Sequence, residues 1–281
     1  MRIAIQGGIG SFHHEAADRF APGAAEPMVC RTFRAVCEAV HTGAAARGLM
    51  AVENSLAGGI VANFALLGEY PLHVHEELYL RVEQHLLALP GQRLADIRTV
   101  HSHPVALLQC SRFLAAHPHL ECVERWDTAA SAADIRRGSL CGTAAIAGPL
   151  AAELHGLAAL ATGIQDHADN YTRFLVLAAA PPAGDPPPDK ASVQFRLPHR
   201  PGTLAAALAA LRRAGVNLTF IQSLPIAENP YEYVFHVDIE WERPGALDPA
   251  MAALSGRAAA VRLVGAYHRG CRPAAARAVT S

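Results

Sequence analysis

Two stretches of the sequence place amide, hydroxyl and carboxylate side chains directly after a predicted apolar strand. One is residues 53–59 (ENSLAGG), and the other is residues 101–104 (HSHP), which leads into a helix that carries a glutamine. Polar side chains at the carboxyl ends of strands face crevices in α/β proteins, where ligands bind. Capping of the following helix is the simpler alternative for the first stretch. The candidate residues are Glu53, Asn54, Ser55, Ser102 and Gln109.

A glycine-rich turn, residues 7–11 (GGIGS), lies between a predicted strand and a predicted helix. The N–H groups at the start of that helix favour a carboxylate next to Ser11, although a plain glycine turn is equally consistent with the pattern. The dinucleotide-binding pattern needs a glycine where this chain has His13, so we predict no nucleotide cofactor. Residues 170–174 (NYTRF) precede another strand, and Thr172 taken alone is typical of a strand start.

Other chemistries lack their motifs. The alternate spacing of His73 with His75, and of His101 with His103, places each pair on one strand face, but no further carboxylate-and-histidine set lies nearby, so we predict no metal. The sequence has no G-x-S-x-G elbow and no phosphate-binding P-loop, which argues against a serine triad and against nucleotide hydrolysis. The six cysteines form no C-x-x-C pair and are predicted to be small buried side chains in a reducing compartment.

Composition limits the class of protein. The 281 residues suit about two domains, and 51% hydrophobic against 17% charged residues provide enough apolar surface for a folded core. The formal net charge of −1 and the absence of a basic run argue against nucleic acid and anionic membranes as partners. No apolar stretch reaches the ~18–20 residues of a membrane span, and the first residues lack a long apolar signal segment. We therefore expect a cytoplasmic protein.

A proline-rich segment divides the chain. Residues 180–190 (APPAGDPPPDK) contain five prolines and predict an extended linker. Upstream, residues 1–179 alternate short apolar runs with Ala-rich helical stretches, which predicts an α/β domain of two lobes with a cleft between them. The predicted strands are residues 2–6, 49–52, 72–80, 84–89, 99–102, 140–145 and 174–178. The predicted helices include residues 12–19, 31–42, 59–67, 104–116, 127–136 and 147–154.

Downstream, residues 191–270 predict a β-α-β-β-α-β unit of ferredoxin-like type, followed by a tail over residues 271–281. The open edge of such a sheet often pairs with a second copy, so we expect a homo-oligomer. The predicted elements are strand 192–197, helix 203–214, strands 218–224 and 231–241, helix 244–254 and strand 259–266.

Taken together and in order, the four motifs resemble those of the bacterial prephenate dehydratases. The resemblance covers residues 2–178, and the downstream unit is similar to the regulatory ACT domain that follows in that family. It implies two lobes of periplasmic-binding-protein type with the active site between them. The implied reaction converts prephenate to phenylpyruvate with loss of carbon dioxide and water, a step of phenylalanine synthesis that needs no cofactor.

The resemblance also assigns roles residue by residue. Thr172 matches a threonine essential for the dehydratase, and we expect it to hydrogen-bond the departing hydroxyl group. Glu53 is expected to orient its neighbours or, if buried and protonated, to donate the proton. The remaining catalytic candidates are Asn54, Ser102 and Gln109. The substrate-binding candidates are Ser11, Ser55, Arg173 and Phe174.

For the downstream unit the resemblance implies an amino-acid effector, L-phenylalanine, and a homodimer or homotetramer. This chain has Gln222 and Leu224 where phenylalanine-sensing members have a glutamate and an arginine, so charge pairing near a zwitterion is lost. An altered effector, weaker inhibition or a purely dimerising role are therefore alternatives. The effector-binding candidates are Gly202, Thr203, Leu204, Asn217, Leu218, Gln222 and Ser223.

Other functions compete with this interpretation. Arogenate dehydratase needs the same elimination with a pocket for an amine, and one sequence does not separate the two. A prephenate decarboxylase would lose carbon dioxide without expelling hydroxide, and the intact Thr172-Arg173-Phe174 argues against it. A non-catalytic sensor of amino acids or small acids would use the same two ligand-binding architectures without turnover.

Overall fold

The computed structural model describes residues 1–182, 187–226 and 229–273, and over these ranges the chain folds as an α/β protein with three sheets. The first part of the chain forms a lobe around a mixed sheet. The strands at residues 2–6 and 47–54 have apolar centres that are buried on both faces, as strands covered by helices require. The elements of this lobe are β1 (Arg2–Gln6), α1 (Phe12–Phe20), β2 (Glu26–Cys30), α2 (Phe33–His41), β3 (Arg47–Asn54), β4 (Gly58–Gly59), α3 (Val61–Glu69) and β5 (His73–Arg81).

A second lobe follows and has its own five-stranded sheet. The predicted helix 104–116 is divided into two at Cys110, because the carboxylate of Asp166 accepts hydrogen bonds from the N–H groups of Ser111 and Arg112 and so caps a new helix there. The elements are β6 (His85–Ala88), a 3-10 turn (Leu94–Asp96), β7 (Thr99–Ser102), α4 (Pro104–Gln109), α5 (Ser111–Ala115), β8 (Glu121–Glu124), α6 (Thr128–Gly138), β9 (Thr143–Ala147), α7 (Pro149–His155) and β10 (Ala158–Ala161).

The chain then returns to the first lobe. Strand β11 (Tyr171–Ala178) lies between β3 and β5 and is antiparallel to both, in the sheet order β2-β1-β3-β11-β5 with β4 paired to β3. The order in the second lobe is β10-β6-β9-β7-β8. Because β11 crosses back, two segments join the lobes, and the motif at residues 170–174 lies beside the end of β3.

The C-terminal part has the predicted order of strands and helices and forms a four-stranded sheet ordered β13-β14-β12-β15. Residues 183–186 of the predicted linker and residues 274–281 of the predicted tail lie outside the described residues. The elements are β12 (Lys190–Arg196), α8 (Thr203–Arg213), β13 (Asn217–Ile226), β14 (Asn229–Glu240), α9 (Leu247–Ser255) and β15 (Ala260–Tyr267).

The C-terminal sheet packs directly against the first lobe. Leu224, Val264 and Tyr267 belong to the same buried apolar cluster as Phe64 of α3 and Leu175 of β11. A Cβ atom built at Gly265 would lie 2.3 Å from the backbone oxygen of Val74, so β15 and β5 approach more closely than side chains allow.

Two sequence predictions need correction. Three cysteines are buried, as predicted, but Cys122, Cys141 and Cys271 are exposed, because they lie on an edge strand, in a loop and after the last strand. The strands β2, β4, β8 and β10 are missing from the sequence prediction. Strand β4 has only two residues, and the other three lie at sheet edges, where burial does not impose a hydrophobic pattern.

Two negative findings apply to the described ranges. No helix there is both long and apolar enough to cross a membrane. No group of three or more histidine, cysteine, aspartate or glutamate side chains is placed there to hold a metal ion.

Candidate active site in the interlobe cleft

A cavity of about 380 Å³ lies between the two lobes. Its walls come from the carboxyl ends of β1 and β3, the start of β11 and the first turns of three helices, as the predicted crevice requires. The polar side chains that line it are Gln6, Ser11, His13, Asn54, Gln84, His103, Gln109, Asp127, Thr128 and Thr172, and the large apolar ones are Phe12, Phe33, Ile60, Val82, Val105, Trp126 and Phe174.

Asn54 joins the ends of β3 and β11 within this cleft. Its Nδ2 atom donates to Asn170 Oδ1 at 2.7 Å and lies 3.2 Å from both Tyr171 O and Thr172 Oγ1. The antiparallel register, which pairs Thr172 with Asn54, brings these groups together. The hydroxyl of Thr172 is thus held by an amide that cannot ionise, at the wall of the cavity.

The opposite end of the Asn54 amide orders the loop that follows β3. Its Oδ1 atom accepts the N–H groups of Leu56 and Ala57, each at 3.1 Å. Ala57 lines the cleft as well. The Asn54 side chain therefore holds both the Thr172 hydroxyl and the loop after β3 at the same wall of the cavity.

Helices α1 and α6, of 9 and 11 residues, have their N-terminal ends at the cleft. Ser11 caps α1, with Oγ accepting the His14 N–H at 3.3 Å, and Asp127 caps α6, with Oδ1 accepting the Ala130 N–H at 2.7 Å. Such ends carry partial positive charge. Among the described residues that line the cavity there is no lysine or arginine, so an anion here meets helix ends and neutral donors.

The two lobes come very close at Gly7. This residue has φ of +97°, and a Cβ atom built on it would lie 2.7 Å from Asp127 Oδ2. The backbone conformation therefore favours glycine at this point of contact between the lobes, and a larger residue would have to displace the Asp127 carboxylate. The glycine-rich turn therefore allows the two lobes to contact each other and leads the chain into α1.

His13 is a cleft residue for which the sequence analysis proposed no role. Its ring lies 4.9 Å from that of Phe174 and 5.3 Å from that of Phe33, centroid to centroid. Burial lowers the pKa of His13 to about 3, so the imidazole is neutral near pH 7. Its Nε2 atom is buried and has no hydrogen-bond partner in the described part of the chain. The signal that could have found it is its position two residues after Ser11, in the first turn of the helix that Ser11 caps.

His103, Trp126 and Asp127 also line the cavity and were not among the predicted site residues. His103 caps α4 through Nδ1, which accepts the Val105 N–H at 3.2 Å. The HSHP motif was noted for Ser102, and the cap shows that its second histidine is the residue at the cleft. No local pattern in the sequence marked Trp126 or Asp127.

Of the predicted catalytic and substrate-binding residues, the structure brings five together in the cleft. These are Ser11, Asn54, Gln109, Thr172 and Phe174.

Four predicted residues lie elsewhere. Ser102 is fully buried and donates to Ile146 O at 2.6 Å, so its hydroxyl is engaged within the second lobe's sheet. Ser55 donates to Asp169 O and accepts the Tyr171 N–H, both at 2.9 Å, and so ties the loop after β3 to the segment that leads into β11. Neither serine lines the cavity.

Arg173 and Glu53 are the other two. Arg173 alternates with its neighbours on β11, so its side chain leaves the face that carries Thr172 and Phe174. Its guanidinium is buried and bonded to Glu77 and Asp238, which corrects its assignment as a substrate ligand. Glu53 lies 3.7 Å from the Arg173 guanidinium and is partly exposed, outside the cavity lining.

The predicted effector residues separate into two groups. Gly202, Thr203 and Leu204 line a cavity of about 290 Å³ at the start of α8. The others, Asn217, Leu218, Gln222 and Ser223, lie along β13 and not in this lining. Leu224 is buried in the cluster shared with the first lobe, where an arginine would need a charged partner.

Comparison with known proteins gives a consistent result. A family model described as prephenate dehydratase matches residues 3–182. A bifunctional N-acyl-homoserine lactone acylase/prephenate dehydratase of Komagataeibacter europaeus is 38% identical over 241 residues, which cover 85% of each chain. Arogenate dehydratase/prephenate dehydratase 2 of Arabidopsis thaliana is 36% identical over 279 residues, 95% of this chain and 72% of that one.

Two solved structures share the whole fold. One is described as a novel type of quorum-quenching acylase, GqqA, with a TM-score of 0.85 and 35% identity, covering 95% of this chain and 97% of the other. The second is prephenate dehydratase from Arthrobacter aurescens in complex with L-Phe, with a TM-score of 0.84 and 31% identity, covering 96% of this chain and 90% of the other.

Proposed function

The chain belongs to the prephenate dehydratase family, and we propose that its interlobe cleft converts prephenate to phenylpyruvate. The observation that carries this proposal is the Asn54–Thr172 contact, which holds a hydroxyl group at the wall of a cavity of suitable size. The enzyme is then a carbon–oxygen lyase. The two lobes are of periplasmic-binding-protein type in this proposal, with the substrate enclosed between them.

The reaction breaks two bonds of the substrate ring. The ring carboxylate leaves as carbon dioxide, its bonding electrons complete the aromatic ring, and the ring hydroxyl leaves as water after taking up one proton. Aromatisation supplies the driving force, so the protein must orient the dianion and assist the departing oxygen. Thr172 is placed to hydrogen-bond that oxygen and to relay a proton, since an alcohol is a poor free acid near pH 7.

The substrate's carboxylates are assigned to the neutral donors of the cleft. The N-terminal ends of α1 and α6 supply N–H groups and partial positive charge, and Asn54 and Gln109 supply amide donors. The rings of Phe12, Phe33 and Phe174 form an apolar wall for the developing aromatic ring and exclude water from it.

A turnover assay tests the proposal directly. Purified protein is given prephenate near neutral pH, and phenylpyruvate formation is followed for the wild type and for Thr172→Ala. We expect turnover in the wild type and a loss of about 10²-fold or more in kcat for the folded variant. Retention of kcat within about threefold would overturn the role of Thr172. Comparing kcat/KM for prephenate and arogenate decides which of the two substrates is preferred.

We assign the C-terminal unit to the ACT type, with L-phenylalanine as its effector. The support is the β-α-β-β-α-β order and the cavity beside Gly202, Thr203 and Leu204. Strand β13 is a sheet edge with Ile221 exposed, which suits pairing with a second copy into a homodimer or homotetramer. Equilibrium dialysis with phenylalanine and light scattering test the two points, and absence of binding at millimolar concentration would refute the effector.

Hydrolysis of N-acyl-homoserine lactones is a second candidate activity, because a relative's name carries it. The observation that favours it is the apolar rim of the cleft, where Val105 and Trp126 are half exposed. Such a rim suits an acyl chain better than a dianion. Release of the fatty acid from an acyl-homoserine lactone by the wild type, measured beside Thr172→Ala, tests it, and no release would refute it.

A further inference from the structure

Four charged side chains form a buried cluster between β11 and the C-terminal sheet. Arg173 Nε donates to Glu77 Oε2 at 2.6 Å, and Arg173 Nη1 donates to Asp238 Oδ2 at 2.5 Å. Lys190 Nζ donates to Glu77 Oε1 at 2.9 Å. Arg173 and Glu77 belong to the first lobe, whereas Lys190 and Asp238 belong to the C-terminal sheet. We call these four residues the interdomain charge cluster.

The cluster is closed off from water and balanced in charge. The side chains of Glu77, Lys190 and Asp238 are fully buried, and that of Arg173 is 3% exposed. Burial alone would raise the pKa of Asp238, but the charges around it, Arg173 first among them, hold its pKa far below the usual range. Removing one partner would leave a buried charge uncompensated, so the four groups fix one another in place.

Neutral groups of the C-terminal sheet complete the cluster. Ser192 Oγ donates to Asp238 Oδ1 at 2.6 Å and lies 2.7 Å from the Tyr267 hydroxyl, while Arg173 Nη2 donates to that hydroxyl at 3.2 Å. Lys190 is the only lysine in the sequence, and the other side chains counted as Lys or Arg are arginines. A compact ammonium group bridges Glu77 and Glu240 here, at 2.9 and 3.0 Å.

The cluster is one residue away from the proposed catalytic hydroxyl. Thr172 and Phe174 line the cleft, and Arg173 between them points to the opposite face, into the cluster. Between β11 and β3 the register shifts at Arg173 and Phe174, so the ladder is irregular at this point. The side-chain contacts of Arg173 therefore add to the positioning of a strand segment whose pairing with β3 is irregular, while its pairing with β5 continues in register from Tyr171 to Val176.

We propose that Arg173 is a positioning residue through which the C-terminal sheet, by way of Asp238, fixes the Thr172 hydroxyl in the cleft. The inference rests on the proposed function for its kinetic readout. An effector that displaces β14 would then move Asp238, and through it the Arg173 guanidinium and the Thr172 hydroxyl in the cleft. The partly exposed carboxylate of Glu53, next in sequence to Asn54, lies 3.7 Å from Arg173 Nη1 and is a third carboxylate near that guanidinium.

Asp238→Asn tests the proposal, because it keeps the volume and removes the charge that holds Arg173. The matched control is Arg262→Met. Arg262 also joins the C-terminal sheet to the first lobe, but its guanidinium donates to the carbonyl groups of Leu67, Tyr70 and Leu72 and not to groups of β11. Both variants weaken the same domain contact, and only one of them acts on Arg173.

We expect Asp238→Asn to lower kcat about tenfold or more with KM for prephenate nearly unchanged, and Arg262→Met to keep kcat within about twofold. Hydrogen exchange should rise at the amides of residues 171–174 only in Asp238→Asn. If that variant does not fold, Ser192→Ala, which removes one hydrogen bond to Asp238, should give a smaller loss in the same direction. Equal kcat and equal exchange in the two variants would overturn the proposal.

The exchange measurement keeps the two claims apart. A wild type without prephenate turnover would refute the proposed function, while faster exchange at residues 171–174 in Asp238→Asn would still support the positioning role. Normal wild-type turnover with no change in Asp238→Asn would refute the positioning role alone. An amine-selective reagent supplies an independent check, since Lys190 should react only when the C-terminal sheet leaves the first lobe.

Discussion

Replacing Asn54 by aspartate or by alanine should affect stability and activity in opposite orders. We expect Asn54→Asp to be the more stable of the two variants and the less active one. Aspartate keeps the acceptor for the Leu56 and Ala57 N–H groups, and loses the donor to Asn170, Tyr171 and Thr172. Alanine loses both sets. Because a net hydrogen bond is worth about 0.5–1.5 kcal/mol, Asn54→Asp should cost about 1–3 kcal/mol of unfolding free energy and Asn54→Ala somewhat more.

Activity should follow the charge instead. A carboxylate at position 54 lies in the wall of a cleft proposed to bind a dianion. Two unit charges about 6 Å apart repel by about 3 kcal/mol at an effective dielectric constant of about 20, which corresponds to about 100-fold in binding. We therefore expect kcat/KM to fall further in Asn54→Asp than in Asn54→Ala, with a higher KM in the aspartate variant.

Urea unfolding gives the stability order, and initial rates of phenylpyruvate formation give the activity order. Salt offers a control, because added salt should recover part of the loss in Asn54→Asp and little of that in Asn54→Ala. If the alanine variant were the worse one in both measurements, the anionic substrate would not bind next to Asn54 and the assignment of this wall of the cleft would be refuted.

Three further outcomes follow from the structure. Ser102→Ala removes a buried hydrogen bond and should cost about 1–3 kcal/mol in urea unfolding with kcat within about threefold of wild type; a large kcat loss would place Ser102 in the chemistry after all. Since burial lowers the pKa of His13 from 6.5 to about 3, the unfolded chain gains a proton first, so the free energy of unfolding should fall as pH drops through this range, and His13→Gln should flatten that dependence. Gly7→Ala places a Cβ atom 2.7 Å from Asp127 Oδ2 and should lower kcat/KM. The control Gly43→Ala has similar φ strain but no neighbour within 4 Å, so it should lower only the free energy of unfolding. Equal activity of the two variants would contradict the proposed lobe contact.

Several elements could be predicted from the sequence because their signals are local. Strands 2–6 and 99–102 match the structure to the residue, since each is short and is followed closely by a glycine turn or a proline that ends it. The predicted helix 104–116 was too long. The group that divides it, Asp166, is 55 residues away from Ser111, and no local pattern reports such a contact.

The candidate site shows the same limit. The motifs marked Asn54 and Thr172, which line the cleft, because polar groups at strand ends are visible in the sequence. The motifs did not separate Thr172 from Arg173. Neighbouring residues on a strand face opposite sides, so one reaches the cleft and the other reaches the C-terminal sheet.

The sequence by itself determined the order of elements in the C-terminal unit and the set of polar motifs that resembles the family. Only the tertiary structure decided that β11 lies between β3 and β5, which of the motif hydroxyls face the cavity, and that buried charges tie the two halves together. The reason is that these features are contacts between distant residues. Asn54 and Thr172 are 118 residues apart, and Arg173 and Asp238 are 65 apart, so their meeting depends on the folded sheets and not on any local stretch.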